Sequence, residues 1–202
     1  MKNSTILVLL TMVLISGGTG CLVMIGENSF RSLTEQDKTN IKPFDSDVIG
    51  VVDTSMNKYL YEITANDIMS QTRTNAYTWV HIWLPYCPNE HCQNIAFFPA
   101  TAAQYDSLSL MIISATYDLK SISRIKQLSE YHQPVFVLKD ADYSHKLKET
   151  RVQFSQEIGV KDEEGYYADD LIFRDSTLIY AGDDGAEILD SIFSKPNLNL
   201  SR

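Results

Sequence analysis

Basic side chains, cysteines and phosphate-binding glycine motifs are all scarce in this sequence. There are 17 Lys and Arg residues against 26 Asp and Glu residues, which gives a net charge of −9. No basic stripe is present that could neutralise phosphates, which argues against nucleic-acid binding. Neither a glycine-rich phosphate loop nor a serine-nucleophile elbow occurs. Only three cysteines are present, and the functional prediction depends on their positions.

The N-terminus has the features of a targeting sequence. Lys2 precedes an apolar run at residues 6–15, and small residues then lead to Cys21. This pattern resembles a bacterial lipoprotein signal peptide over residues 1–21, with Cys21 as the lipidated residue. A signal-anchor reaching to about residue 25 is the alternative, because residues 6–25 are long enough to span a bilayer; free secretion is a third. The first two predict a domain tethered to a membrane of the bacterial cell envelope, outside the cytoplasm, with the periplasm as the expected compartment.

The remaining chain has the composition of one globular domain, with 44% hydrophobic and 21% charged residues. Residues 22–47 are polar without sustained periodicity and predict a tether, and residues 48–196 are assigned to the domain. The predicted elements, in order, are strands at 48–52 and 58–63, a helical turn at 65–70, a strand at 77–84, a helix at 92–105 interrupted near Pro99, a strand at 108–114, a helix at 119–131, a strand at 134–138, a helix at 144–158, a hairpin of 170–173 with 177–180, and a helix at 186–193. This alternation predicts an α/β fold with a central mixed sheet flanked by helices.

Two cysteines, Cys87 and Cys92, follow the most strand-like segment of the chain. Residues 77–84 are apolar on both faces, which is typical of a central strand that is covered on both sides. The two thiols therefore come at the end of a strand and the start of a predicted helix. A helix N-terminus stabilises a thiolate relative to a thiol, because it carries partial positive charge and unpaired N–H groups. The placement favours a reactive thiol pair.

Three segments resemble parts of the thioredoxin superfamily, in particular its membrane-tethered, extracytoplasmic thiol–disulfide oxidoreductase and redoxin branch. Residues 83–87 (Trp-Leu-Pro-Tyr-Cys) resemble the lead into the family's redox helix. Residues 110–115 are similar to its following strand, and residues 171–180 to its late hairpin. The resemblance covers residues 48–194 and implies a thioredoxin-like fold.

The same resemblance implies thiol–disulfide exchange with the dithiol or disulfide of a partner protein, without a cofactor. Cys87 is then the thiolate that attacks the partner's disulfide, and Cys92 resolves the mixed disulfide. Substrate contacts are implied for five further residues: Trp83, Tyr86, Pro88, Tyr167 and Ala168.

The cysteine spacing departs from the family pattern, because four residues instead of two separate Cys87 from Cys92. Five positions on a regular helix turn the chain about 500°, so the two side chains would point about 140° apart. A disulfide therefore requires an irregular first turn over residues 88–91, for which Pro88 is suited.

The loop before the late hairpin lacks the family's cis-proline. Residues 166–170 read Tyr-Tyr-Ala-Asp-Asp, and a non-proline cis bond costs about 3 kcal/mol, so we expect a trans loop. If Asp169 or Asp170 lies near Cys87, its negative charge opposes the thiolate and raises the pKa of that thiol.

Alternatives to redox catalysis remain open at this point. The cysteine pair would also suit a purely structural disulfide, and the fold would also suit a non-enzymatic module that binds a partner protein. Cys87, His91 and Cys92 offer soft ligands for copper or zinc, with His132 or His145 as a distant further ligand. Neither late histidine has a diagnostic spacing and both are expected at the surface, so no metal ligand is assigned.

Two more positions bear on the chemistry. His81 alternates with Trp79 and Trp83 on one face of the central strand, which favours a satisfied core histidine. Leu84 argues against a peroxidase, which needs Thr or Ser three residues before the cysteine.

The acidic turns at 162–165 and 183–185 lack the alternating oxygen ligands of a calcium loop, and we expect solvated turns there.

Overall fold

The computed structural model describes residues 28–52, 58–85, 94–160 and 168–194, and everything below concerns these ranges. The strands are β1 (Ile41–Pro43), β2 (Leu60–Ile63), β3 (Tyr77–Trp83), β4 (Leu108–Ser114), β5 (Val135–Leu138), β6 (Asp170–Arg174) and β7 (Thr177–Gly182). The α-helices are α1 (Glu35–Lys38), α2 (Ala65–Thr72), α3 (Phe97–Ala102), α4 (Leu119–Leu128), α5 (Leu147–Ile158) and α6 (Gly185–Ser194). Short 3₁₀ turns lie at Phe30–Ser32 and Ser46–Val48.

The strands form one mixed sheet in the order β1-β2-β5-β4-β3-β6-β7. The strands from β1 to β3 in this order are parallel, whereas β6 runs antiparallel to both β3 and β7. The predicted α/β architecture is therefore confirmed. A parallel β4–β3 pair extended by an antiparallel hairpin makes the fold thioredoxin-like, as the resemblance implied.

Both faces of the sheet are covered by helices. Side chains of β3 alternate between two core clusters, with Val80 and Ile82 in one and Trp79 and Trp83 in the other. Helices α2 and α5 contribute to the first cluster, and α3, α4 and α6 to the second. This explains why the predicted central strand is apolar on both faces. The carboxyl ends of the parallel strands share one edge of the sheet, where open α/β sheets carry their sites.

Local sequence signals explain where several helices begin and end. Thr64 and Asp67 form a capping box that starts α2, and the Asp118 side chain caps α4 by accepting from the Ser121 N–H. Gly159, with φ of 93°, ends α5 in the left-handed conformation that glycine adopts most easily.

The first predicted strand, at 48–52, is wrong. Val48 ends a 3₁₀ turn and is buried, whereas the Val52 side chain is 68% exposed. Strand β2 pairs instead with β1 on one side and β5 on the other, both in parallel. The apolar run suggested a strand, but pairing depends on strands that are distant in the sequence.

Residues from Asn28 onward, which the sequence analysis assigned to a tether, pack on the domain. Asn28 is buried, and its side-chain amide donates to Asp140 Oδ1 at 2.8 Å. Its backbone N–H donates to the His145 carbonyl at 2.7 Å, and its carbonyl accepts from the Tyr117 N–H at 2.8 Å. Strand β1 follows and joins the sheet edge. These are long-range contacts, so hydropathy alone did not indicate them.

The predicted helix at 92–105 is shorter than expected in its described part. Residues 94–96 precede the helix, and α3 covers Phe97–Ala102. Pro99 does not interrupt α3, because it lies in the first turn, where its missing N–H removes no intrahelical hydrogen bond.

Within the described ranges no helix is both long and apolar enough to cross a bilayer. The predicted signal peptide or anchor, with Cys21, lies outside those ranges.

Candidate functional site

A cavity of about 150 Å³ opens at the carboxyl end of β3, beside the first residues of β6 and α6. It combines aromatic, imidazole and carboxylate groups. Its lining residues are His81, Ile82, Trp83, Leu84, Phe98, Asp169, Asp170, Asp183, Asp184, Ala186 and Glu187.

Asp170 is the most deeply held carboxylate of this cavity, with a side chain 5% exposed. Its Oδ1 accepts from Trp79 Nε1 at 2.8 Å and lies 2.7 Å from His81 Nδ1. Its Oδ2 accepts from the Gly185 N–H at 3.0 Å. Because Gly185 begins α6, the carboxylate also lies at the positive end of that helix. These contacts compensate the burial of a polar group that would otherwise be costly.

Gly185 is required by this arrangement. A Cβ atom at position 185 would lie 2.6 Å from both Cβ and Cγ of Asp170. Only glycine therefore allows the backbone of α6 to approach the carboxylate closely enough for the hydrogen bond.

His81 sits opposite Asp170 in the β3–β6 register. Its ring stacks on Phe98 with centroids 3.8 Å apart and an interplanar angle of 26°. In the neutral imidazole, donation from Nδ1 to Asp170 leaves Nε2 as the acceptor nitrogen. The ring lines the cavity with its side chain 13% exposed. The arrangement is therefore a histidine–aspartate pair at the wall of the cavity.

The loop before β6 is held by Asp169. Its carboxylate forms an ion pair with the buried Arg151 of α5. Its carbonyl accepts from the Ile82 N–H at 2.7 Å, and its own N–H donates to Asp183 Oδ1 at 3.3 Å. The described residues, which include Ala168 to Asp170 of this loop, contain no cis peptide bond. An ion pair and hydrogen bonds of the backbone thus hold the loop before β6 in place.

Two of the predicted site residues fall within the described ranges. Trp83 is 5% exposed and lines the cavity, whereas Ala168 is fully buried in the core cluster on the other face. The side chain of Ala168 is therefore part of the core and offers no surface to a substrate. The remaining predicted residues lie outside the described ranges: Cys21, Tyr86, Cys87, Pro88, Cys92 and Tyr167.

The pairing of His81 with Asp170 is not predicted by the sequence. The sequence predicts a satisfied core histidine at position 81, and the ring is indeed satisfied at Nδ1, but it also lines a cavity. The available signal was a polar residue in an otherwise apolar strand, together with an aspartate at the start of the late hairpin. Only the antiparallel register brings the two side chains together.

The late histidines do not form a metal site with other described residues. His145 Nδ1 lies 2.9 Å from Asp140 Oδ1 and is half-exposed. Among the described residues no three His, Cys, Asp or Glu side chains come together in a way that could hold a metal ion. His91, Cys87 and Cys92, on which the metal alternative depends, lie outside the described ranges.

Comparison with known proteins gives structural neighbours only. No protein-family model matches the chain, and no curated protein matches it. One similar solved structure is the thioredoxin domain of a thiol-disulfide oxidoreductase from Bacteroides vulgatus, with a TM-score of 0.40 and 10% identity over 61% of this chain and 82% of that one. A second, solved in solution, is a Bacteroides vulgatus protein named for the same activity, with a TM-score of 0.39 and 10% identity over 62% of this chain and 78% of that one.

Proposed function

We propose that the protein exchanges disulfides with a partner protein through Cys87 and Cys92 at the carboxyl edge of the sheet. The observation that supports this most directly is that residues on both sides of the motif line the cavity. Trp83 at the end of the central strand lines it, and so does Phe98 of α3. Cys87 follows Trp83 by four residues, and Cys92 precedes Phe98 by six. These short spacings along the chain support a position for both thiols near the edge that carries the cavity.

The reaction is a two-electron exchange. The Cys87 thiolate attacks one sulfur of the partner's disulfide, and Cys92 then attacks Cys87 and releases the partner as a dithiol. No cofactor takes part, since the electrons come from the two thiols.

The charges of the cavity favour a reducing pair. Asp183, Asp184 and Glu187 line it and are exposed, and Asp170 is buried within it. Negative charge near a cysteine disfavours the thiolate. A dithiol whose thiolate is not stabilised is a weaker oxidant than one whose reduced form is stabilised, as the contrast between thioredoxin and the strong oxidant DsbA illustrates. We therefore place the expected potential toward the negative end of the thiol-exchange range.

A redox titration of the full chain tests the proposal. In a Cys21→Ser background, alkylation and intact mass report the state of Cys87 and Cys92 across thiol buffers of defined potential. We expect interconversion between about −120 and −270 mV, near the negative end. Cys87→Ser and Cys92→Ser are the matched controls, and each should abolish the bridged mass. A bridge that never forms, or that resists reduction beyond about −300 mV, would favour a structural disulfide or a non-enzymatic binding module.

We further propose that the domain is tethered to a membrane of the bacterial envelope through its N-terminus. Cys21→Ser separates the two anchors considered above. Loss of a lipid mass and of processing would identify a lipoprotein, whereas unchanged retention in the membrane would identify a signal-anchor. A protein found free in the medium would contradict both.

A further inference from the structure

Strand β7 forms one end of the sheet, and no strand among the described residues pairs with its outer side. The strand is six residues long and reads Thr-Leu-Ile-Tyr-Ala-Gly, without a charge and without a proline. An edge strand of this kind presents a row of backbone N–H and C=O groups to which another strand can pair. Strand β7 is therefore open to the addition of a strand.

The opposite end of the sheet is protected against such pairing. Strand β1 has only three residues, includes Lys42 and ends at Pro43, which has no N–H to donate. A short strand, a charge and a proline are common means of preventing pairing at an edge. In β7 the corresponding feature is a register shift opposite Ile172 and Phe173, beyond which residues 180–182 pair regularly with β6. The two edges therefore differ in how well they can accept a strand.

The side chains of β7 offer apolar surface on both sides of the sheet. Leu178 packs against the first core cluster, and Ile179 and Tyr180 pack against the second. All three side chains are only half-buried. An added strand would cover them and extend both clusters, and the burial of apolar surface is the main favourable term in such an association.

Carboxylates lie at both ends of β7. Asp175 lies in the turn before the strand, Asp183 and Asp184 follow it, and all three are exposed. Residues 168–194 contain seven Asp and Glu residues and one basic residue, Arg174. Antiparallel pairing of two β7 strands would bring Asp175 of one copy close to Asp183 of the other, and like charges opposite each other destabilise a strand pair. The charges therefore disfavour a second copy of this chain and favour a basic strand.

We propose that β7 is a docking edge for an extended segment of another protein, with an uncharged, largely apolar centre and a lysine or arginine at each end. The segment adds to the sheet through main-chain hydrogen bonds, and its basic ends pair with the carboxylates that flank β7. The proposal goes beyond the exchange function and is independent of it, because it uses neither cysteine of the motif.

The cavity adds a specific contact at one end of the docking edge. Strand β7 ends at Gly182, beside the start of β6, where the cavity opens. Asp183, Asp184 and Glu187 line that cavity. Hydrogen bonds from an ammonium or guanidinium group to a carboxylate are stronger than those between neutral groups. The basic residue of the segment that lies beside Gly182 therefore contributes more to binding than the one beside the hairpin turn.

Hydrogen exchange of the full chain, measured by mass spectrometry with a synthetic peptide, tests the proposal. The probe is a peptide in which valine and threonine alternate between two terminal lysines. We expect it to slow exchange in residues 177–182. The same peptide with terminal glutamates should bind at least about tenfold more weakly. A lysine peptide with proline at its centre should give no protection, because proline removes an N–H from the added strand.

Two double variants of the protein separate the charges beside β7 from the net charge of the protein. Asp184→Asn with Glu187→Gln removes two exposed carboxylates at the docking edge and should weaken binding of the lysine peptide about three- to tenfold. Asp47→Asn with Glu130→Gln removes two exposed carboxylates elsewhere and should leave binding unchanged. The peptide series requires no variant, so the test holds even if a variant fails to fold.

The alternative occupants give different results. Protection of residues 177–182 in the free protein that rises with protein concentration, together with a dimer in sedimentation, would show that a second copy occupies β7. The same protection in the free monomer would show that another part of the chain covers it. Either result overturns the proposal, and so does a lysine peptide that gives no protection or binds no better than the glutamate peptide.

Discussion

Lys126 is fully buried in the last turn of α4. Its ammonium donates to the Gln133 carbonyl oxygen at 2.9 Å and lies 5.5 Å from the centre of the Tyr131 ring. Burial lowers the pKa of Lys126 from 10.5 to about 8. At the scale of a single residue, this is a charge kept in the interior at a cost to stability.

We predict that the free energy of unfolding rises between pH 8 and pH 10. In this window the unfolded chain keeps the Lys126 proton while the folded protein releases it, so a higher pH favours the folded state. The gain is about 2 kcal/mol. Above pH 10 the effect reverses, because burial raises the pKa values of Tyr117 and Tyr131 above the ordinary value of 10 and these tyrosines ionise more readily in the unfolded chain.

Urea unfolding across this pH range measures the effect. Lys126→Met should remove the rise and stabilise the protein at pH 7, whereas Lys120→Met, an exposed position on the same helix, should change neither. A rise that persists in Lys126→Met would assign the effect to another group.

Gly185 presents a different constraint, which is steric. We predict that Gly185→Ala costs about 1–3 kcal/mol, because the added methyl group collides with Asp170 in a packed interior. Gly159→Ala is the contrasting variant. No atom lies within 4 Å of its added Cβ, and its φ of 93° is the source of strain, so its cost is about 1 kcal/mol. Equal losses in urea unfolding would mean that the contact with Asp170 is relieved by movement of α6.

At the scale of an element, the turn of the hairpin between β6 and β7 contains left-handed backbone conformations that can be tested by substitution. Its turn residues Asp175 and Ser176 have φ values of 46° and 69°, both left-handed. Two-residue hairpin turns of this kind match the twist of the strands and favour glycine at the second position. A serine at this second position therefore causes backbone strain.

We predict that Ser176→Gly stabilises the protein by about 1 kcal/mol, because glycine adopts the left-handed conformation without the penalty that a Cβ brings. Thr177→Gly, one residue further and inside β7, should destabilise it by about 0.5–1 kcal/mol. Thermal unfolding of both variants is the measurement. No gain for Ser176→Gly would mean that the serine side chain compensates the strain.

For the whole molecule, the N-terminal segment and the cavity lie at the same edge of the sheet. Asn28 contacts Tyr117, which follows β4, and Asp140, which follows β5. Both residues therefore come after the carboxyl ends of parallel strands, as the cavity does for β3. The segment that leads toward Cys21 is thus attached to the edge that carries the candidate site.

We predict that Asn28→Ala lowers the free energy of unfolding by about 1–3 kcal/mol, since it leaves the buried Asp140 carboxylate without one of its donors. Asn66→Ala, at an exposed position, is the matched control and should be neutral. A neutral Asn28→Ala in urea unfolding would mean that the N-terminal segment contributes little to the domain, as a tether would.

Much of the element order could be predicted from local patterns. The strand at 108–114 was predicted with its observed bounds, and the helix at 186–193 and the late hairpin differ from α6 and β6–β7 by one or two residues. These elements were accessible because hydrophobic periodicity and turn residues are properties of neighbouring positions. The strand at 48–52 failed because an apolar run does not reveal whether a partner strand is available.

The sequence by itself determined the class of fold and the central strand, since both follow from the spacing of side chains along the chain. Only the tertiary structure decided that Asn28 belongs to the domain, that β5 lies between β2 and β4, and that His81 meets Asp170 in a cavity. These features depend on contacts between residues about 20 to 110 positions apart. Such contacts depend on the packing of the whole sheet, and local propensity does not predict them.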